Sequence, residues 1–456
     1  MLEKRLREIG QGHIARHLEG IDSSPLSAQI EKDLDGIDND LIQGLLKGVN
    51  LFDPPKGRVE PADVIPASFY QSDEALDYIQ LGRQIIKEGR VAALIVAGGQ
   101  GSRLGINAPK GMVGVTPVLG KSLFQLHAQK ILALSKRYCS VIPLFIMTST
   151  TNDSQTKDFF REHDYFGLDK DHVHFFVQGL LPSVTPEGRF ILSRNQGLFM
   201  NPDGHGGTFA ALKKNGCLEI MKDQGIEEIF YFQVDNPLVR VCDPLFIGLH
   251  SGNRAQMSSK VVRKRDFDEK VGVIARLGGK TTLVEYSDMD DDMRYATDKD
   301  KTMAYWAGSI AIHLIRRDFA EKITSQGVVL PFHKALKSIP TIDENGMEQE
   351  IRGVKFETFI FDALPLTDSS VTLEVKREEE FAPVKNLSGD DSLESSIQMQ
   401  SSLYKKWLGD LGIEASKGAL IEISPLFAID KEELSSRIKD IPRQIKTDTF
   451  LGKEFD

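Results

Sequence analysis

The stretch LIVAGGQGSRLGINAPKG, residues 94–111, joins a short apolar run to a loop that contains four glycines. The apolar run begins at Val91, and its small and β-branched residues are typical of a strand buried on both faces. The glycines after it can turn sharply and bring backbone N–H groups close to phosphate oxygens. Arg103 and Lys110 add two positive charges beside those amides. The stretch therefore predicts a buried strand followed by a polyphosphate-binding loop.

Two common phosphate-binding motifs do not account for this loop. A dinucleotide fingerprint G-x-G-x-x-G that begins at Gly99 has Leu104 where its third glycine belongs. A Walker A loop that ends in GKS at 120–122 has Val115 in place of its first glycine. A solvated structural turn is the remaining alternative. The density of glycines and cations favours phosphate binding over that turn.

Strands and helices alternate along the centre of the chain. Ser72 can cap a helix that begins at Asp73 and ends near Gly89. Apolar runs predict further strands at 141–148, 173–177 and 229–234, with helices at 122–137, after Asn152 and at 207–222. This order predicts an α/β fold with a mostly parallel sheet flanked by helices, and the short strands in 260–286 predict an antiparallel extension.

The two ends of the chain differ from this alternation. Residues 1–60 predict short amphipathic helices with an apolar stripe that includes Leu2, Leu6 and Ile14. Residues 61–385 form the α/β body. After a polar stretch, residues 386–456 predict a small C-terminal domain with a helix near 400–409.

Composition limits the function classes. The 456 residues are 41% hydrophobic and 27% charged, with a net charge of -10, which disfavours a nucleic-acid partner. The cysteines at 139, 217 and 242 are widely spaced and predict free thiols in a reducing compartment. Apolar runs are shorter than the ~18 residues that cross a bilayer, and no signal peptide is evident. We expect a cytoplasmic protein with no membrane partner.

Further motifs follow the glycine-rich loop in a fixed order: VQGLLP (177–182), NPDGHGGTFAAL (201–212), YFQVDNPLVRVCDPLFIG (231–248), VEYSD (284–288), WAGSIAIH (306–313), FETFIFDAL (356–364) and VKREEEFAPVKN (375–386). With these motifs the chain resembles the UDP-sugar pyrophosphorylase family, most closely its eukaryotic UDP-N-acetylglucosamine branch. The resemblance extends over about 91–425. It implies a Rossmann-like glycosyltransferase-A nucleotidyltransferase core, with residues 61–385 as the catalytic domain.

The resemblance implies that UTP and a sugar 1-phosphate react to give a UDP-sugar and pyrophosphate. It assigns Arg103 to the pyrophosphate portion, Lys110 to the α-phosphate and Lys385 to a clamp from the far side. From spacing alone, Lys385 would be an ordinary surface lysine. Asp235 follows a predicted strand at the edge where α/β sheets bind ligands, so it is the candidate ligand for Mg²⁺, the expected cofactor. A turn or helix-capping aspartate is the equally weighted alternative.

Nucleotide recognition is assigned by the same resemblance. It places Gly98, Gly99, Gln178 and Gly204 around the uracil base, and Gly101 belongs to the same loop. The side-chain amide of Gln178 can match both the donor and the acceptor on the edge of uracil. Without its flanking motif this glutamine would be an ordinary polar residue at a strand end.

Sugar recognition is the least determined part. The resemblance nominates Gly272, Glu285 and Gly308, with Ser309 and His205 at positions where the N-acetylglucosamine enzymes usually carry asparagine. The glucose branch has Gly-His-Gly at the position of His205. The overall resemblance to the UDP-N-acetylglucosamine branch makes N-acetylglucosamine 1-phosphate the favoured substrate, and these departures leave glucose 1-phosphate or several sugar phosphates as the alternative. A UDP-sugar-binding protein without catalysis is the alternative from another class.

Overall fold

The computed structural model describes residues 2–19, 24–35, 37, 39–49, 51–53, 57–193, 197–325, 330–342 and 347–452. The chain divides into two compact units. The smaller unit comprises 1–56, 178–211 and 323–363, and the larger unit comprises 57–177, 212–322 and 364–456. The predicted boundaries at 60 and 385 stay a prediction.

A ten-stranded mixed sheet forms the centre of the larger unit, and its middle is parallel. Strand Val91–Val96 lies between Glu228–Gln233 and Leu144–Thr148, and Val173–Val177 follows on the outer side. Residues 91–95 are almost completely buried, as expected of an apolar strand covered on both faces. The parallel centre with its flanking helices confirms the predicted α/β class.

Antiparallel strands extend this sheet on the other side. Ala307–Arg316 pairs with Glu228–Gln233 and with Met257–Arg263, and Val273–Leu277 pairs with Val59–Pro61 and Lys280–Val284. Thr372–Glu374 completes the sheet beside Met257–Arg263. Gly278 and Gly279 both have positive φ angles, 55° and 80°, in the turn of the 273–284 hairpin. The predicted antiparallel extension is confirmed.

The helices of the larger unit begin largely where capping residues predict. Ser72 Oγ accepts a hydrogen bond from the N–H of Ala75 and caps Asp73–Lys87, and Ser122 caps Leu123–Tyr138. Asp153–Glu162, Pro244–Gly252, Asp291–Arg294 and Arg377–Glu380 are further helices.

The single helix predicted at 207–222 is wrong. Thr208–Lys214 and Cys217–Asp223 are separate helices, because Gly216 adopts the left-handed conformation at φ 71° between them. Helix Arg317–Ser325 follows the strand that ends at Arg316.

The C-terminal part belongs to the larger unit and has a core that includes Leu408 and Ile421. Its main helix is Leu393–Asp410, which begins well before the predicted start because Ser392 and Ser395 form a capping box. Two short parallel pairs and one helix complete this part: Ile421–Ile423 with Thr449–Leu451, Glu414–Ala415 with Gln444–Ile445, and Lys431–Ser436.

The smaller unit combines helices with hairpins. Its helices are Leu2–Glu8, Gly12–Glu19, Ser24–Asp35 and Asn39–Leu46. Its strand pairs are Phe332–Ile342 with Glu348–Thr358, Leu180–Pro182 with Met200–Pro202, and Leu192–Ser193 with Gly197–Leu198. Leu6 and Ile14 are fully buried in its core, which confirms the apolar stripe predicted for the first helices.

Two predictions on chemistry can be compared with these elements. Cys139, Cys217 and Cys242 are all free thiols, as expected. None of the described helices combines the length and the apolar composition that crossing a bilayer requires.

Candidate active site

The glycine loop, residues 98–110, closes on itself at the carboxyl end of strand Val91–Val96. The N–H of Gly101 donates to the carbonyl of Ala108 at 2.9 Å, and the N–H of Lys110 donates to the carbonyl of Gly99 at 3.1 Å. Only glycine fits next to Lys110, because a Cβ atom on Gly111 would lie 2.2 Å from the ring of Phe124. The closed loop therefore returns Lys110 to the strand end where the loop began.

Asn152 fixes this loop and was missed by the sequence analysis. Its buried side-chain amide donates to the carbonyl of Ala97 at 2.8 Å, and its Oδ1 accepts from the N–H of Ser149 at 2.8 Å. The available signal was its position after Leu144–Thr148, since neighbouring parallel strands present their carboxyl ends at one edge.

Asp235 and Lys110 meet at this edge. Asp235 follows strand Glu228–Gln233, which runs parallel to Val91–Val96. The Lys110 Nζ atom donates to Oδ2 of Asp235 at 2.7 Å, and the two side chains expose only 18% and 10% of their surface. The structure thus brings together two residues that were predicted separately for phosphate and for metal binding.

The residue before Lys385 is hydrogen-bonded to the backbone of Asp235, which brings Lys385 to the same edge. The N–H of Val384 donates to the carbonyl of Asp235 at 2.9 Å. Both Lys110 and Lys385 act electrostatically on the Asp235 carboxylate. The cluster of Lys110, Asp235 and Lys385 therefore carries two positive charges around one negative charge.

The pKa of Asp235 reflects this arrangement. Burial opposes ionisation of the carboxyl group, but the charges of Lys110 and Lys385 and the hydrogen bond from Lys110 outweigh burial. The pKa of Asp235 is therefore held below its ordinary value, and the carboxylate is ionised at neutral pH.

Asn236 holds the Lys385 segment, residues 380–385, in place. Its Nδ2 donates to the carbonyl of Glu380 at 2.7 Å, and its Oδ1 accepts from the N–H of Ala382 at 3.0 Å. The Glu380 side chain is fixed in turn by Lys260, whose Nζ lies 2.6 Å from Glu380 Oε2 and 2.8 Å from Asp243 Oδ2. Lys260 is completely buried.

Arg103 lies apart from these contacts. It is exposed on the turn Ser102–Leu104 of the glycine loop. Within the described residues it forms no hydrogen bond or ion pair, so its predicted contact with pyrophosphate stays a prediction.

The candidate sugar residues of the larger unit lie close to one another. The N–H of Ser309 donates to the carbonyl of Gly272 at 2.8 Å. A Cβ atom on Gly272 would lie 2.8 Å from Leu283 Cδ2 and 3.5 Å from Glu285 Cδ, so only glycine fits there without movement. Gly308 pairs with Val273 at the start of the neighbouring strand.

Strand register places these residues at the same edge as Asp235. His313 pairs with Tyr231 in an antiparallel ladder, so the start of Ala307–Arg316 lies beyond the end of Glu228–Gln233. Ala311 has a φ of 54°, and the ladder to Met257–Arg263 is irregular at this point. Such bulges re-aim side chains near functional sites.

Three predicted residues belong to the smaller unit. Gln178 is buried and is the first residue of the 178–211 segment. Gly204 has a φ of 85°, and a Cβ atom there would lie 2.3 Å from the carbonyl oxygen of Thr358, so there is no room for one. His205 Nδ1 accepts from the N–H of Ile360 at 3.2 Å, and burial lowers the pKa of His205 to about 4. These contacts show structural roles, and the nucleotide and sugar roles stay predictions.

The donor set limits how a metal could bind. In the described part of the chain, no cluster of three or more His, Cys, Asp or Glu side chains could enclose a metal. Asp235 supplies one carboxylate that Lys110 already contacts. Mg²⁺ commonly takes one or two carboxylates and fills its remaining positions with water and substrate phosphates. The residues therefore fit a magnesium ion that arrives with a nucleotide.

The fold and these contacts define an α/β enzyme of the nucleotidyltransferase class. A sequence model of the UTP–glucose-1-phosphate uridylyltransferase family matches residues 63–451, and the chain belongs to that family.

Relatives and one solved structure agree with this assignment. The chain is 38% identical over 369 residues to UDP-N-acetylglucosamine diphosphorylase 1 of Arabidopsis thaliana, covering 77% of this chain and 71% of the relative. It is 36% identical to the UDP-N-acetylglucosamine pyrophosphorylase of Saccharomyces cerevisiae, over 87% and 84% of the two chains. A Trypanosoma brucei uridine diphosphate N-acetylglucosamine pyrophosphorylase, solved with an inhibitor, superposes with a TM-score of 0.83 at 27% identity, covering 98% of this chain and 97% of that one.

Proposed function

We propose that this uridylyltransferase joins UTP to N-acetylglucosamine 1-phosphate and releases UDP-N-acetylglucosamine and pyrophosphate. The observation that carries the proposal is the cluster of Lys110, Asp235 and Lys385 at the carboxyl edge of the sheet. Three relatives that share much of the chain bear the name of this activity. The proposed cellular location remains the cytoplasm.

The chemistry needs positioning and charge rather than a protein nucleophile. A phosphate oxygen of the sugar 1-phosphate attacks the α-phosphorus of UTP, and the bond from that phosphorus to the β-phosphate bridging oxygen breaks. Negative charge then grows on the phosphoryl oxygens and on the departing pyrophosphate. Lys110 neutralises the α-phosphate, Lys385 approaches from the other side, and Arg103 binds the pyrophosphate portion.

Asp235 would hold the magnesium ion that accompanies the nucleotide. When bound, that ion would supply positive charge against the negative charge that grows on the phosphates. The carboxylate also orients Lys110 before nucleotide binding, since the two side chains are hydrogen-bonded at 2.7 Å. The chain's own part in the reaction is thus to orient two ammonium groups around one phosphate position.

The sugar is proposed to lie near Gly272, Glu285 and Ser309, where Glu285 can accept hydrogen bonds from sugar hydroxyls. N-acetylglucosamine is favoured by the names of the relatives. Glucose 1-phosphate is the second candidate, because His205 matches the Gly-His-Gly of the glucose branch and the matching family model bears the glucose name. Gly98, Gly99, Gly101, Gln178 and Gly204 keep their proposed roles toward uridine.

Pyrophosphate release from UTP, measured with N-acetylglucosamine 1-phosphate and glucose 1-phosphate, tests the proposal. We expect turnover with both the nucleotide and a sugar phosphate present, and a higher kcat/KM for the N-acetylglucosamine substrate. A higher kcat/KM for glucose 1-phosphate would select the second candidate. UDP-sugar binding without turnover of any sugar phosphate would instead establish a binding protein without catalysis.

A further inference from the structure

A cavity in the larger unit is separate from the cluster of Lys110, Asp235 and Lys385. It has a volume of about 530 Å³. Its lining residues include Leu134 on helix Leu123–Tyr138, Trp407 on helix Leu393–Asp410, and Arg240. The residues that line it include none of the glycine loop and neither Asp235 nor Lys385. Cavities of this size hold small organic ligands in other proteins.

The acidic residues of this cavity are already neutralised by the protein. Each of its carboxylates has a lysine or arginine nitrogen within 3.0 Å: Asp243, Glu379, Glu380, Asp410, Asp430 and Glu432. The ammonium group of Lys130 donates to the backbone carbonyls of Pro237 and Val239 at 2.5 and 2.8 Å. These groups have little remaining capacity for a ligand.

Arg240 differs from most of the other charged residues of the cavity, and it shares its loose pairing with Lys376, which lies 3.7 Å from Glu379. Its nearest carboxylate is Asp243, at 3.7 Å from Nε, which is too long for a hydrogen bond. Asp243 is already occupied by Lys260 and by the hydroxyl of Tyr70. Within the described residues Arg240 forms no hydrogen bond, and its side chain exposes 47% of its surface. The guanidinium therefore offers free donors toward the cavity.

Apolar and aromatic side chains form much of the remaining wall. Leu134, Leu403 and Trp407 line it together with Tyr138. A guanidinium group pairs strongly with a planar carboxylate or with a phosphate, and apolar walls favour an apolar body. We propose that this cavity is a second binding site for a small organic anion. The carboxylate or phosphate of this ligand pairs with Arg240, and its apolar part packs against Leu134 and Trp407.

The cavity also touches both segments that Asn236 joins. Pro237 and Val239 line it directly after the Asp235–Asn236 turn, and Glu380 lines it at the start of the Lys385 segment. A ligand in the cavity thus lies against Glu380 and against the residues next to Asn236, which fix the position of the Lys385 segment. We expect its binding to change kcat, and this consequence rests on the proposed function, whereas the binding itself does not.

Tryptophan fluorescence can test the binding without any activity measurement. The chain has two tryptophans, so Trp306→Phe leaves Trp407 as the sole reporter, inside the cavity. The probes are 3-phenylpropionate and phenyl phosphate, with neutral 3-phenylpropanamide as the control ligand. We expect saturable changes with at least one anion, at a Kd on the order of 0.1–1 mM, and none with the amide. Binding of only one anion would identify the preferred head group.

Two variants in the Trp306→Phe background sharpen this test. Arg240→Gln should raise the Kd about tenfold or more, because it removes a charge-assisted pair. Arg83→Gln is the matched control, since Arg83 lines the same cavity but already pairs with Glu432 at 2.9 Å. Its Kd should stay within about twofold. If Arg240→Gln fails to fold, Arg240→Lys replaces it. This variant keeps the charge but loses the planar guanidinium, so its Kd for the anion should be higher than that of the Trp306→Phe protein.

Absence of a saturable response to both anions would overturn the site. An unchanged Kd in the folded Arg240→Gln variant would overturn the role of Arg240. For the coupling, pyrophosphate release is measured with and without a saturating anion. An unchanged kcat would contradict the coupling, while loss of activity in every condition would count against the proposed function alone.

Discussion

The Nζ atom of Lys110 lies 2.7 Å from Oδ2 of Asp235, although the two residues are 125 positions apart in the chain. Their contact depends on two parallel strands that end at the same edge and on a glycine loop that closes on itself. It places a partly buried ammonium group at the carboxyl edge of the sheet, where α/β folds bind ligands.

Lys110→Ala should lower kcat by roughly 100-fold or more, because its charge acts chiefly on the phosphoryl transition state. Binding of UDP should weaken far less than kcat falls. Steady-state kinetics and calorimetric titration with UDP measure the two effects. Lys121→Ala is the matched control, since Lys121 lies over the ring of Phe450 at 4.6 Å and is not part of the proposed cluster. Near-normal kcat in Lys110→Ala would refute the assignment.

Asn236→Ala should lower kcat by about tenfold, because two hydrogen bonds to the Lys385 segment are lost and Lys385 is no longer held in place. The KM for UTP should change less than kcat. Adding Asn236→Ala to Lys385→Ala should then cost little further activity, since both changes act through the same ammonium group. Full additivity of the two losses would show that Asn236 acts in another way.

Histidine 127 should make stability depend on pH. Its ring is completely buried, Nε2 lies 2.9 Å from the carbonyl of Val234, and burial lowers the pKa of His127 to about 3. The unfolded chain binds this proton near pH 6.5 and the folded chain does not. The stabilisation is therefore present above pH 6.5 and is lost as the pH falls toward 3.

Between pH 7.5 and pH 5 the loss from this residue should be about 2 kcal/mol in the free energy of unfolding. Urea unfolding of the native chain and of His127→Gln at both pH values measures it. The variant should be less stable at pH 7.5 but should lose about 2 kcal/mol less on acidification. An equal pH dependence in the two proteins would disprove the assignment.

Ser309→Asn should change sugar preference. The asparagine side chain reaches further and offers both a donor and an acceptor, so it should favour the acetamido group of N-acetylglucosamine 1-phosphate. The ratio of its kcat/KM to that for glucose 1-phosphate should rise about tenfold. Ser435→Asn, on an exposed C-terminal helix, is the control and should leave the ratio unchanged. The same ratio in both variants would place sugar selection elsewhere.

Local signals predicted the elements that carry the site. The cap at Ser72, the buried strand that begins at Val91 and the short antiparallel strands within 260–286 were each visible, because they depend on neighbouring residues. The resemblance supplied Lys385, whose surroundings alone would have suggested a surface lysine. The structure places Lys385 and Lys110 in the electrostatic surroundings of Asp235.

The supports of the site could not be predicted in the same way. Asn236 contacts residues 144 and 146 positions away, and Asn152 contacts a carbonyl 55 positions earlier. Such side-chain to backbone bonds leave no periodic pattern in a sequence. Lys260 is equally hidden, since a buried lysine differs from a surface lysine only through the carboxylates of Asp243 and Glu380 that tertiary folding brings to it.

A crystal structure with bound UTP tests the central claim most directly, because it locates the phosphates relative to the lysines. We predict the α-phosphate within about 3 Å of the Nζ atoms of both Lys110 and Lys385, with the triphosphate along the glycine loop. A nucleotide bound elsewhere, or these two ammonium groups directed into solvent while the phosphates are held by other residues, would contradict the account.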